Sequence, residues 1–362
     1  MKPGLPPATA VVRVDETAPG DWDERIVDVA GGDVHQSRLN AEHRASQGWQ
    51  PSYLTFDDGR AALVLLRRRP PLPGFMAYAP RGPVPAGDGA EQVAARVIGL
   101  AAWARGAGAR VLAADPIFLA DAAYERALTG AGFHEIDELQ AERHRMILTF
   151  PPRATVETVL VGVAKATRQR IRAAERSGTL VAEADDDASV ERFAGLYAAT
   201  ARRRRFWIGR GGALVAWWRR LLAAKRGLLL VARHDDRIVG GLLLYRQGGG
   251  LATAVSADDA TTRDTLPGTM HLLRWSAIRL AIEAGHGAID LGGVDLPGAR
   301  RVPEPGEPTY GLYEHKRAFG AVFSPHAAAH ETILRPWVQR SYSVLAGLRG
   351  VVRGRRSGGA PA

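Results

Sequence analysis

The chain has 362 residues, of which 46% are hydrophobic and 24% are charged, and it contains no cysteine. This length predicts two domains with a sizeable buried core, and the lack of cysteine excludes disulfides, cysteine-zinc sites and thiol nucleophiles. A formal net charge of +10 favours an anionic partner such as RNA, a phosphorylated metabolite or anionic lipid. No apolar run is long enough for a membrane span and no signal peptide is evident, so we expect a cytoplasmic protein.

Short strands and amphipathic helices are mixed over residues 1–150. Asp58-Gly59, between two extended runs, is typical of a β-hairpin turn. Periodicity and breaker residues predict helices over residues 36–47, 90–105 and 120–129, and strands over residues 52–56, 61–68, 75–78, 110–114 and 143–150.

The same mixture recurs after Pro151-Pro152, where we expect a domain boundary. One pattern used twice indicates an α/β (α+β) fold with two similar domains. Residues 351–362 form a basic, glycine-rich tail that we expect to be disordered. The second half predicts helices over residues 156–176, 188–204, 213–225 and 270–284, and strands over residues 179–184, 228–233, 238–246, 251–256 and 288–291.

Residues 247–252 fit the glycine pattern with which acetyl-CoA-dependent N-acetyltransferases hold a pyrophosphate. Such a loop must open a helix, so that backbone N–H groups face the phosphates. Here a strand-like run follows, which favours a glycine hairpin turn instead.

Four consecutive arginines, residues 202–205, precede Phe206 and Trp207. Guanidinium groups beside aromatic rings suit phosphate or nucleic acid. The alternative is a solvated helix end, where cations complement the helix dipole.

Lys316 is one of four lysines and lies among aromatic residues and glycines in residues 310–320. Its ammonium group could stabilise an oxyanion or hold a phosphate, or it could be an ordinary surface cation. Asp115 and Asp290 each end an expected strand and could serve as a base or simply cap the next turn. His326 and His330 are spaced four apart, but a metal site there is a weak alternative.

Several segments combine into one ordered pattern that covers most of the chain, from Gln36 to Gly320. They are Gln36-Ser37 with Arg44 and Gly48-Trp49; residues 78–84; Asp115-Pro116; Lys165, Arg168, Ile171, Arg172, Ala174, Glu175, Arg176 and Gly178; Thr200, Ala201, Arg203 and Phe206; Asp290, Gly292 and Gly293; and residues 311–320. In order and spacing this pattern resembles the Fem family of aminoacyl-tRNA-dependent peptidyltransferases, which build the interpeptide bridge of bacterial peptidoglycan.

The resemblance implies two tandem GNAT-like (acyl-CoA N-acyltransferase-like) domains without a coiled-coil arm. The first would comprise residues 1–150, completed by about residues 321–350, and the second residues 151–320. The implied activity moves an amino acid from aminoacyl-tRNA to the stem-peptide amine of a UDP- or lipid-linked muramyl peptide precursor. It requires no cofactor, no metal and no DNA. The basic C-terminal segment also suggests peripheral contact with an anionic membrane.

By the same resemblance, Arg44 and Arg203 would hold the diphosphate of the precursor, and Lys316 and Phe319 would serve aminoacyl transfer. We add Asp290 as the candidate proton acceptor. The remaining expected substrate-binding residues are Arg81, Phe206, Trp207 and Tyr313.

The chain departs from the family pattern at four places. Arg44 stands where the family often has lysine, His315 replaces an aromatic residue, Ala318 replaces a glycine, and residues 251–256 lack tyrosines that would help to hold the precursor. Two alternatives stay open, the first because of residues 251–256 and the second because of the basic C-terminal segment. One is an N-acyltransferase that uses acyl-CoA or aminoacyl-tRNA on another amine, such as a natural product. The other is a non-catalytic RNA- or membrane-binding protein built on a decayed transferase.

Overall fold

The computed structural model describes residues 8–68, 70, 73–137, 139–140, 143–204, 208, 211–295 and 300–335. Within these residues the strands form two seven-stranded sheets. Most neighbouring strands run antiparallel, and each sheet contains one parallel pair at its centre. This arrangement confirms the expected α/β (α+β) fold with two similar domains.

The first sheet carries the first domain. Its spatial order is β1 (Val11–Asp15), β2 (Gln50–Phe56), β3 (Ala61–Arg68), β4 (Phe75–Ala79), β5 (Ala109–Ala114), β14 (Ala329–Ile333) and β6 (His134–Ile136). The run of apolar residues in β3 is buried because this strand is central and covered on both faces. The accompanying helices are α1 (Trp22–Ile26), α2 (Arg38–Ala45), α3 (Ala90–Gly106) and α4 (Ala122–Gly130), with a 3-10 turn over Val34–Gln36.

The second sheet has the same strand count and a different helix set. Its order is β13 (Val322–Ser324), β7 (Arg145–Thr149), β12 (Ala288–Asp290), β11 (Gly250–Asp258), β10 (Arg237–Gln247), β9 (Gly227–His234) and β8 (Leu180–Glu183). Its helices are α5 (Val156–Gly162), α6 (Lys165–Arg176), α7 (Asp187–Arg204), α8 (Gly211–Ala223), α9 (Thr269–Glu283) and α10 (Tyr310–Arg317), with a 3-10 turn over Ala260–Thr262.

Two strands belong to a different sheet from the one that the sequence boundaries assign. β7 lies within residues 1–150 and β13 lies within residues 321–350, yet both pair in the second sheet. The reason is burial, because Met146 and Leu148 of β7 pack into the core of the second domain. The chain then returns to the first sheet as β14, which lies between β5 and β6.

The single helix expected over residues 156–176 is two helices. The break falls at Val163, which has extended backbone angles and a buried side chain. The next residue, Ala164, donates its N–H to the carbonyl of Ala318 at 2.9 Å, so the break ties α5 and α6 to the end of α10.

The glycine stretch at residues 247–252 is the hairpin turn between β10 and β11. Gln247 pairs with Gly250, and Gly248 and Gly249 both have positive φ, as a two-residue turn of this kind requires. The turn also touches the first domain, since the Gly248 N–H donates to the Val27 carbonyl at 2.8 Å.

A shared core fixes the two domains against each other. One buried cluster combines Trp22 and Leu63 of the first domain with Trp217 and Leu243 of the second. Beside this cluster, the Gln247 side chain accepts from the Val34 N–H at 3.0 Å and donates to Asp33 at 3.2 Å. The crevice between the domains therefore has a defined geometry.

Candidate active site

The strands β11 and β12 are parallel neighbours that separate toward their carboxyl ends. Leu251 pairs with Ile289 and Ala252 with Asp290, and in the described chain no pair joins the two strands beyond that point. β11 nevertheless continues to Asp258. An opening therefore forms at the carboxyl end of β12, the kind of position at which ligands bind in α/β sheets.

Lys316 reaches this opening from α10. Its side chain is buried, and its Nζ donates to the carbonyl oxygen of Gly293 at 2.6 Å. A Cβ added at Gly292 would lie 3.3 Å from this Nζ and 3.3 Å from the carbonyl oxygen of Thr253. Glycine at 292 thus leaves room for the ammonium group next to the first residue of β11 beyond the paired region.

Asp290 ends β12 and shapes the turn that holds Lys316. Its Oδ1 accepts from the Gly292 N–H at 2.7 Å, and its Oδ2 lies 3.7 Å from Nε of Arg145. The carboxylate therefore caps the turn at the strand end, which is one of the two roles that its position in the sequence allowed.

Two histidines and Phe319 pack together where α9 meets α10. The ring centroids of His271 and His315 are 4.5 Å apart, and those of His315 and Phe319 are 5.4 Å apart. Phe319 is 1% exposed and belongs to the core of the second domain. The Phe319 ring therefore packs against His315 from the core side and does not line an open surface.

The two imidazoles are neutral at physiological pH. Burial, with help from the charges of Arg170 and Arg274, lowers the pKa of His271 to about 4. Burial also lowers the pKa of His315 well below its usual value, and the charge of Lys316 adds to this effect. His271 Nδ1 and His315 Nε2 are buried without a hydrogen-bond partner among the described residues.

Arg44 lies in the crevice between the domains. Burial lowers its pKa, and its charge interacts with Tyr78 of the first domain and Tyr245 of the second. Its Nη1 donates to Gln47 at 3.3 Å, whereas its buried Nε has no partner in the described part of the chain. With the neighbouring charge of Arg67, this guanidinium suits a bound anion.

Arg81 and Asp115 hold the loop that borders the crevice. The Arg81 N–H donates to Oδ1 of Asp115 at 2.6 Å, and the Tyr78 hydroxyl donates to Oδ2 at 2.8 Å. Burial raises the pKa of Asp115, and the charge of Arg81 opposes that rise. Arg81 itself is buried and has a φ of +53°, so its conformation depends on this clamp.

Charged groups connect the crevice to the opening around Lys316. Burial, together with the charges of Arg145 and Arg81, lowers the pKa of His326 to about 3. Both arginines also act on buried Tyr245, whose pKa is raised by burial. Since Arg145 approaches Asp290 as well, one electrostatic network runs from the interdomain crevice to the turn that holds Lys316.

Arg203 lies near the carboxyl end of β11. Its guanidinium is 3.8 Å from Oδ1 of Asp258, a carboxylate that also forms a two-pronged ion pair with Arg263. Burial lowers the pKa of Arg203. Within the described residues no contact joins Arg203 directly to Arg44, and their shared role at a diphosphate stays a prediction.

Part of the loop that precedes α9 is closed by its own hydrogen bonds. Backbone N–H groups at a helix start can bind phosphate only where they are unpaired. Here the Thr261 N–H is bonded to the Asp259 side chain, the Thr262 N–H to the Asp259 carbonyl and the Leu266 N–H to the Thr262 carbonyl. The carboxylates of Asp258 and Asp259 flank the same loop and form ion pairs with Arg263 and Arg192.

The structure describes only some of the remaining residues that the sequence singled out. Tyr313 lies on α10 with its ring centroid 6.2 Å from that of Tyr310. Phe206 and Trp207, the expected disordered tail and the basic C-terminal segment beyond residue 335 lie outside the described residues. The described part of the chain contains no group of three metal-ligating side chains. It also has no helix that is both long and apolar enough to cross a bilayer.

Sequence reasoning missed Arg145, Tyr245 and His271 as site residues. The charge of Arg145 on β7 acts on Tyr245 of β10 although β12 and β11 lie between these strands, so this interaction can be recognised only when the sheet order is known. His271 belongs to the site because its ring contacts His315. One signal for this contact was present in the sequence, since residue 315 is a histidine where the family pattern has an aromatic residue.

Comparisons with known proteins place this geometry in a class. Residues 163–317 match the family model described as an acetyltransferase (GNAT) domain. No curated protein matches the chain. Together with the two sheets, the family match defines a GNAT-type acyltransferase fold used twice in one chain.

Solved structures give a more particular likeness. The chain is similar to the crystal structure of FemX, with 19% identity over 91% of this chain and 99% of that chain, and a TM-score of 0.75. It is also similar to a conserved protein of unknown function from Bacteroides thetaiotaomicron, with 13% identity over 90% of this chain and 100% of that chain, and a TM-score of 0.57. At these identities the similarity concerns the fold.

Proposed function

We propose that this protein is an aminoacyltransferase that moves an amino acid from aminoacyl-tRNA to the stem-peptide amine of a peptidoglycan precursor. The observation that carries the proposal is the buried ammonium group of Lys316, fixed at the opening between β11 and β12. An aminoacyl ester is already activated, so its transfer needs mainly positioning and stabilisation of an oxyanion. The sequence resemblance to the Fem family and the fold similarity to FemX support the same assignment, and so does the glycine stretch at residues 247–252, which forms a hairpin turn and does not open a helix.

In the proposed reaction the acceptor amine attacks the ester carbonyl carbon. A C–N bond forms, the ester C–O bond breaks, and the ribose hydroxyl of the tRNA leaves with a proton. The ammonium group of Lys316 stabilises the negative charge that develops on the carbonyl oxygen, an effect that burial strengthens.

The contacts of two other residues refine their proposed roles. Asp290 was the candidate proton acceptor, but its hydrogen bond to the Gly292 N–H supports an orienting role for the turn beside Lys316. Phe319 supports the same region through its contact with His315, since its ring is buried.

The acceptor is proposed to bind in the interdomain crevice. Arg44, with its unpartnered Nε and the nearby charge of Arg67, is the stronger candidate for the diphosphate. Arg203 remains a proposed second ligand, and its charge is partly offset by Asp258. The network through Arg81 and Arg145 would then guide the stem peptide toward Lys316.

A transfer assay tests the proposal directly. The purified protein is mixed with a pool of radiolabelled aminoacyl-tRNAs and a UDP-linked muramyl pentapeptide, with labelled acetyl-CoA as the control donor. Label on the pentapeptide that requires charged tRNA would support the proposal and identify the amino acid. Label from acetyl-CoA alone, or label on a different amine, would replace it with the N-acyltransferase alternative.

A further inference from the structure

Helix α6 has one strongly basic face that the proposed chemistry does not use. Positions 165, 168, 172 and 176 recur at intervals of three and four, which places their side chains on one side of a helix. All four are basic, as Lys165, Arg168, Arg172 and Arg176. The opposite side of α6 is buried through Thr167, Ile171 and Ala174.

These cations are not neutralised by the fold. Within the described residues, none of the four lies within ion-pair distance of a carboxylate, unlike Arg226, Arg263 and Arg301, which all form ion pairs. Like charges four residues apart repel each other along a helix. The unpaired charge on α6 therefore opposes helix stability and indicates an external anionic partner.

A groove runs beside this basic face. It has a volume of about 400 Å³ and lies between α5 and α6. Glu157, Leu160 and Val161 line one side, and the other side is lined by Lys165, Arg168, Gln169 and Arg172. Arg168 fixes its shape, because Nη1 donates to the Val161 carbonyl at 2.9 Å. Such a groove suits a nucleotide chain, because the cations can bind its phosphates and the apolar wall can contact its bases.

The position of α6 links this surface to the opening around Lys316. α6 packs along α9, and Gly268, at the start of α9, lies so close to the Arg170 carbonyl that a side chain would not fit there. The charge of Arg170 also reaches His271 and His315 beside Lys316. A donor whose ester end lies at Lys316 would therefore pass near α6.

We propose that the basic face of α6, defined as Lys165, Arg168, Arg172 and Arg176 together with the adjoining groove, binds the sugar-phosphate backbone of the donor tRNA near its acylated end. This inference rests on the proposed function and adds the location of RNA binding. Lipid is the less suitable partner, because a helix that lies on a membrane turns its apolar face outward. The apolar face of α6 is turned into the protein.

The test measures binding of fluorescently labelled tRNA to the full chain over a range of salt concentrations. The variant carries Lys165→Gln, Arg172→Gln and Arg176→Gln and leaves Arg168 in place because it shapes the groove. A control variant of equal charge carries Arg105→Gln, Arg126→Gln and Arg237→Gln, which are exposed sites away from α6. We expect the α6 variant to lose at least tenfold in tRNA affinity, with the slope of log Kd against log salt reduced by about two to three. The control variant should match the wild type.

Three results would overturn this inference. One is equal tRNA affinity in the α6 variant and the wild type. Another is an equal loss in the control variant, which would indicate net charge alone. The third is a loss of binding to phosphatidylglycerol vesicles with tRNA binding intact, which would assign the surface to a membrane. Failure of the proposed function is distinct, because the wild-type protein would then transfer no amino acid from any aminoacyl-tRNA.

Discussion

Lys316 and Gly293 are joined by a 2.6 Å hydrogen bond from the lysine Nζ to the glycine carbonyl oxygen. This bond connects the last turn of α10 to the residues that follow β12, 23 positions earlier in the chain. It places a buried positive charge where β11 and β12 separate. The proposed catalytic step depends on this single contact more than on any other.

Lys316→Ala should lower turnover by about two to three orders of magnitude, because the developing oxyanion loses its positive partner. The dissociation constant for the muramyl pentapeptide should change less than about threefold. Steady-state transfer kinetics and direct precursor binding measure the two quantities, with thermal unfolding to show that the variant is folded. Lys225→Asn, in an exposed turn, is the control. If precursor binding collapses while turnover at saturation survives, Lys316 is a binding residue.

Arg44→Gln should raise the Kd of the UDP-linked precursor by about one order of magnitude, since it removes a guanidinium with an unpartnered buried nitrogen. Arg203→Ala should have a smaller, salt-sensitive effect, because Asp258 already offsets its charge. Calorimetric titrations at low and high salt compare both with Arg126→Gln on the far side of the first domain. An unchanged affinity in Arg203→Ala would remove that residue from the site.

Gln36→Leu should lower the free energy of unfolding by roughly 3 kcal/mol or more, because buried hydrogen bonds cannot be replaced by an apolar side chain. The Gln36 side chain donates to the carbonyls of Leu63 and Pro80 and accepts from the Leu63 N–H. Urea denaturation measures the change, and Gln92→Leu on an exposed helix position should remain within about 0.5 kcal/mol of the wild type. A comparable loss in both variants would mean that the Gln36 contacts contribute little.

Acid should destabilise the fold through its buried histidines. The pKa values of His43 and His271 fall to about 4, and that of His326 falls to about 3, from an ordinary value of 6.5. Between these values the unfolded chain binds more protons than the folded one, so the free energy of unfolding should rise as pH increases from about 4 to about 6.5. Each histidine contributes a slope of up to roughly 1.4 kcal/mol per pH unit.

His271→Phe should reduce the slope of unfolding free energy against pH by the contribution of one histidine. Chemical denaturation at a series of pH values between 4 and 7 measures the slope in both proteins. An identical slope in the variant and the wild type would show that His271 is not buried in its neutral form.

Many strands, helices and turns could be predicted from the sequence because they depend on local residue patterns. The apolar run in β3, the hairpin at Gly248-Gly249 and the helical period of α3 each depend on neighbouring residues alone. The sheet membership of β7 and β13 was not accessible, because it depends on which core buries Met146 and Leu148. Local patterns carry no information on that choice.

The candidate site shows the same division. Lys316 and Asp290 could be selected from sequence because they stand in distinctive segments, and the structure places both beside Gly292. The interaction of Arg145 with Tyr245 could not, since it depends on the order of β7 and β10 in the second sheet.

The place of β14 in the first sheet has a consequence for biosynthesis. This strand inserts between β5 and β6, yet it comes from residues 329–333, almost 200 residues after its neighbour β6. While the chain emerges from the ribosome, β5 and β6 have been synthesised but the strand that pairs with both is still missing. The sheet of the second domain is complete only slightly earlier, once β13 has emerged. The domain that is translated first is therefore the last to close, and the interdomain crevice cannot reach its final form before residues 329–333 have been made.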